Sequence, residues 1–148
     1  MSRLTLRLVR AAFVCLAAGI ALGAAFAIDR RLGGALRPLH AELNLWGWVT
    51  LLIYGMAYHI VPRFAGQPLR RPRLAEVQSY LAIAGVALAA LGWLASVWSP
   101  ALAPALRAGG ASLQLAAALA FALIIGELLR SRPARAGAAI PPAGGQRP

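Results

Sequence analysis

The stretch Leu39-His40-Ala41-Glu42-Leu43-Asn44-Leu45-Trp46-Gly47-Trp48 sets a histidine, a carboxylate and an amide at the head of an apolar run that continues to Tyr58-His59-Ile60-Val61. From Leu39 to Val61 the run is long enough to cross a bilayer, which takes about 20 helical residues. An ionisable group inside such a span costs free energy and marks a functional site by default. Both histidines of the chain lie on this one helix.

Three further stretches, Val9–Ile28, Gln78–Trp98 and Gly109–Leu129, are apolar over a similar length. The chain of 148 residues is 60% hydrophobic and only 13% charged, with a mean hydropathy of +0.69. A soluble domain of this size needs more polar surface. These features predict an all-α integral membrane four-helix bundle over residues 1–130. The Pro/Gly/Arg/Ala-rich tail, 131–148, cannot form a core and is expected to be disordered.

The net charge of +11 rests on fifteen basic residues, all of them arginine. Arg3, Arg7, Arg10, Arg63, Arg70, Arg71, Arg73, Arg130, Arg132, Arg135 and Arg147 fall on one side of the predicted membrane, whereas Arg30, Arg31, Arg37 and Arg107 fall on the other. This is the positive-inside bias, which predicts a multi-pass protein of the bacterial inner (plasma) membrane with both termini cytoplasmic. Basicity therefore records topology, and a nucleic-acid partner is not expected. The first apolar run is longer than a typical signal-peptide core, and Asp29-Arg30-Arg31 is a poor cleavage context, so it reads as the first span.

Between the spans, Gly33-Gly34 and Pro38 predict a short outer loop, with Pro38 suited to the first turn of helix 2. Three prolines among four arginines predict an irregular inner loop from Pro62 to Glu76. In the first span, Gly19-Ile20-Ala21-Leu22-Gly23 is a GxxxG match of the kind that lets helices approach closely. The single cysteine, Cys15, excludes an intrachain disulfide and reads as a small packing residue. Glu127 and Arg130, three residues apart, are expected to pair.

On a wheel of about 100° per residue, Asn44, Gly47, Tyr54 and Tyr58 lie within about 40° of His40, forming one polar stripe. Glu42 lies about 200° from His40 on the same wheel, so the helix offers one ligand-type residue to each of two neighbours. His59 lies about 28 Å from His40 along the axis and cannot share a metal with it. A neutral imidazole is a good axial ligand for haem iron, Gly47 leaves room for a flat macrocycle, and Asn44 can orient the ring. Arg30, Arg31 and Arg37 stand at the level where haem propionates would emerge, and guanidinium pairs well with carboxylate.

The helix-2 stretch, His40 to Trp48 and on through Tyr54-Gly55-Met56-Ala57-Tyr58-His59-Ile60-Val61-Pro62-Arg63, resembles the second helix of the catalytic subunit of heme–copper oxidases. The cbb-class cytochrome c oxidases and bacterial nitric oxide reductases are the most similar. The resemblance implies that His40 ligates haem b. It also implies that the four helices correspond to one four-helix arc of the family's twelve-helix ring, which a homotrimer would rebuild. The family's His-x-His reads His40-Ala41-Glu42 here, a departure that leaves a haem with His40 on one side and an open, water-bound or Glu42-associated position on the other. The family's binuclear centre needs more histidines than the two present, and symmetry only repeats those two positions, so its reduction reaction is not expected.

The expectation is thus a haem b-binding membrane protein serving electron transfer, haem handling or diatomic-gas binding. Its partners would be the lipid bilayer, further copies of itself and a respiratory redox protein. Two other readings fit the same residues: a cofactor-free oligomeric proton or ion pathway, and a structural or assembly partner of a respiratory oxidase.

Overall fold

In the computed structural model, residues 2–130 are described. They form α1 (Arg3–Ile28), α2 (Arg30–Glu42), a π-helical segment (Leu43–Thr50), α3 (Leu51–Phe64), α4 (Pro72–Trp98) and α5 (Ala103–Arg130), with no strand among the described residues. The segments α2, π and α3 run on as one helix. By length and composition, four helices could cross a membrane: Arg3–Ile28, Leu36–Phe64, Pro72–Trp98 and Ala103–Arg130. The tail expected to be disordered from Ser131 lies outside the described residues.

Local chemistry sets the ends. The Ser2 hydroxyl accepts from the Thr5 N–H at 3.2 Å, so α1 starts six residues before the expected Val9. Asp29 ends α1 with an extended backbone and at once caps α2, its carboxylate accepting from the Arg31 N–H at 2.9 Å. That cap overturns the expected outer loop. Gly33, Gly34 and Pro38 all lie inside α2. Glycine weakens a helix by only about 1 kcal/mol, and Asp29 supplies the start signal that Pro38 was expected to give. The second expected loop also shrinks: α3 runs through Pro62 to Phe64, and α4 begins at Pro72, whose missing N–H is harmless in a first turn. Between them Gly66 adopts φ +64°, open only to a residue without Cβ strain.

The helices pack as an up-and-down bundle in which α4 and α5 form the most extensive pair, and α1 lies along the π segment and α3. The core gathers toward the end where α1 begins: Leu4, Leu8 and Ala12 meet Leu51, Tyr54, Tyr58, Ala75, Ala82, Ala117 and Ile124. Large apolar side chains such as Phe13, Val14, Ile20, Leu91, Leu119 and Leu123 point outward, as suits a surface facing hydrocarbon. At the Arg-rich end, Glu127 of α5 pairs at 2.8 Å with Arg71 at the start of the neighbouring α4. Arg7 reaches α4 there, donating to the Ser79 hydroxyl at 2.9 Å and lying over the Tyr80 ring.

Candidate functional site

His40 ends a regular α-helical stretch, so its direction follows from ordinary helix geometry. It turns toward α1, where the GxxxG pair makes the necessary space. A Cβ on Gly19 would lie 2.6 Å from the Asn44 Nδ2, and one on Gly23 would lie 3.0 Å from the His40 Cε1. The His40 Nδ1–H donates to the Gly19 carbonyl at 2.9 Å. A carbonyl can only accept, so Nδ1 carries a proton, and in the neutral imidazole the lone pair is then on Nε2. The Asn44 amide donates to the His40 carbonyl at 2.7 Å and stands within 3.5 Å of both ring nitrogens. Phe26 of α1 closes the arrangement, its ring tilted against the imidazole at 5.7 Å.

Toward the Asp29 end, Arg30 and Arg37 share a cleft of about 420 Å³ with Phe26, Gly33 and Gly34. The Phe26 ring is thus common to the arginine cleft and the histidine. Arg31 does not line that cleft and is exposed.

Glu42 faces the other way, as the wheel predicts. The Gln114 amide of α5 donates to its carboxylate, and the Trp93 indole of α4 lines the same cleft. A second cleft, about 410 Å³, opens here between α2 with its π extension, α4 and α5, and Glu42, Trp46, Trp93, Arg107 and Gln114 line it. The Arg107 guanidinium lies 4.5 Å from the centre of the Trp93 ring and donates to the Ser96 hydroxyl at 3.4 Å. Gln114 escaped the sequence reading as a site residue. The signal was present: a lone amide in the middle of an Ala/Leu-rich span, where polar side chains make interhelical hydrogen bonds.

The rest of the expected polar stripe comes apart. Gly47 leaves no room for a macrocycle, because a Cβ there would lie 2.6 Å from the Cys15 Cβ, so Cys15 of α1 already fills the gap. Tyr54 and Tyr58 point between α4 and α5, away from His40. Tyr54 packs on Phe121 at 4.4 Å, and the Tyr58 hydroxyl donates to Gln78 Oε1 at 3.1 Å. The cause is the π segment. Its hydrogen bonds reach one residue further than α-helical ones, so each residue turns the helix through less than about 100° and the phase drifts over eight residues. The Thr50 hydroxyl, donating to the carbonyl of Leu45 five residues back at 2.9 Å, follows that spacing. His59 hydrogen-bonds to Arg63 near the Arg-rich end, well apart from His40.

No family model, curated protein or solved structure matches this chain. Among the described residues no three His, Cys, Asp or Glu side chains gather to hold a metal ion. Within one chain His40 stands near the cleft of Arg30 and Arg37 through Phe26, without lining that cleft itself. Gly47, Tyr54, Tyr58 and Glu42 do not line it either.

Proposed function

We propose that the chain is a membrane haem b-binding protein in which the His40 Nε2 is an axial ligand and a second copy of the chain completes the site. The observation that carries this reading is the hydrogen bond from the His40 Nδ1–H to the Gly19 carbonyl. Metal-ligating histidines characteristically tie their other ring N–H to a carbonyl or carboxylate, which fixes the tautomer and the ring plane. Asn44 holds the same ring from the following turn, and Arg30 and Arg37 offer guanidinium groups for propionates near Phe26. Haem supplies one-electron redox chemistry or a gas-binding iron, and the chain supplies orientation, anion pairing and a dry setting.

In this reading the protein is oligomeric, with a homotrimer rebuilding the twelve-helix ring of the oxidases that helix 2 resembles. It lies in the bacterial plasma membrane with the Arg-rich end cytoplasmic, and serves electron transfer, haem handling or diatomic-gas binding. A reduced-minus-oxidised spectrum of the purified full chain tests it. Wild type grown with ample haem is expected to show Soret and α bands that His40→Ala loses, while Phe13→Ala on the outward face of α1 keeps them. A colourless wild type would sink the proposal.

A second reading draws on the same contacts. His40 and Asn44 are both satisfied inside the chain, so they can serve as a polar clasp between α1 and α2 in a cofactor-free pathway or assembly protein. It predicts a colourless protein whose His40→Ala variant loses stability alone.

A further inference from the structure

We propose that the cleft on the Glu42 side of the bundle binds the head of a neutral, lipid-soluble ring compound of the quinol class. The inference rests on a face of the helix opposite His40 and stands independently of haem.

Leu115 and Ala111 line the cleft and are exposed on α5, and Trp46 on its other flank is partly open. In a chain whose outward surface suits hydrocarbon, such an opening faces lipid, so the occupant arrives through the bilayer. The volume of about 410 Å³ falls in the usual range for small-molecule sites, about 300–1,000 Å³ with apolar walls and a few convergent polar groups.

Charge then restricts the occupant. Glu42 and Arg107 line the same cleft. An anionic head meets Glu42 and a cationic head meets Arg107, each in a low-dielectric setting where like charges repel strongly. A neutral head avoids both costs. Two indoles, Trp46 and Trp93, also line the cleft and favour a flat ring.

The hydrogen-bonding inventory completes the description. The Glu42 carboxylate accepts from Gln114 and retains acceptor capacity. Gln114 is held through its amide nitrogen, which leaves its carbonyl oxygen as an acceptor. Arg107 uses one N–H on Ser96 and keeps others. A quinol head, with a hydroxyl at each end of its ring, can donate to Glu42 or Gln114 at one end and accept from Arg107 at the other. Its apolar tail would leave past Leu115 into lipid. Only binding is proposed.

Saturable quenching of tryptophan fluorescence by decylubiquinol, kept reduced under argon, tests this, using the full chain in phosphatidylcholine nanodiscs. Glu42→Leu and Arg107→Leu are each expected to weaken binding about tenfold, the loss of one charge-assisted hydrogen bond. Ala111→Trp fills the mouth without touching the hydrogen bonds and is expected to abolish saturation while helicity is retained. Phe13→Ala is expected to bind as wild type. Decanoate, decyltrimethylammonium and decanol are expected not to compete. Quenching that rises linearly with lipid partitioning, unchanged binding in Ala111→Trp, or displacement by any of those three chains or by phosphatidylethanolamine would overturn the proposal.

Discussion

The α4–α5 contact and the α1–α2 contact both depend on glycine, for different reasons. At α4–α5 the backbones themselves meet: a Cβ on Gly110 would lie 2.5 Å from the Ala89 nitrogen and 2.8 Å from its Cα. At α1–α2 the glycines make room for side chains, with Gly19 and Gly23 receiving Asn44 and His40. Small residues therefore do two jobs in one bundle. The first contact is rigid because neither backbone can yield; the second can adjust by rotating a side chain.

The largest expected effect breaks the rigid contact. Gly110→Ala forces α4 and α5 apart and should cost about 3 kcal/mol, the upper end for overpacking, read by unfolding in mixed micelles. A cost equal to that of Gly19→Ala would erase the distinction. Next comes Glu42→Leu, which strands the buried Gln114 amide and should cost about 2 kcal/mol. Adding Gln114→Leu should recover part of it in a double-mutant cycle. Gly19→Ala pushes only the end of the Asn44 side chain and should cost about 1 kcal/mol. Asn44→Ala in the same chain should remove most of that penalty, and failure to do so would mean that α1–α2 is as rigid as α4–α5. Tyr58→Phe should have the smallest effect, about 0.6 kcal/mol, the average for hydrogen bonds between membrane helices. Gln78, its partner, already leaves its Nε2 without a hydrogen bond in the structure.

The spans were legible because bilayer thickness imposes a length that composition alone reveals. The opposition of His40 and Glu42 was legible too, since both precede the π segment and obey the α-helical wheel. Tyr54 and Tyr58 were misplaced because that wheel assumes one period throughout, and no residue type announces a π turn. Gly33-Gly34 and Pro38 misled in the opposite sense: they are breakers by propensity, overridden by the Asp29 cap. Gln114 stood out as a lone amide in an apolar span, but its partner needed tertiary information, because Glu42 is 72 residues away in sequence.

The π segment has a consequence for how this sequence can change over time. Substitutions within Leu43–Thr50 alter one contact each, whereas deleting a single residue there would reset the winding of everything after it. The half of the span carrying His40 and Glu42 would stay in register, and Tyr54 and Tyr58 would swing out of the groove they share with Phe121 and Gln78. Chain length between Leu43 and Thr50 is therefore under tighter constraint than the identity of most residues within it.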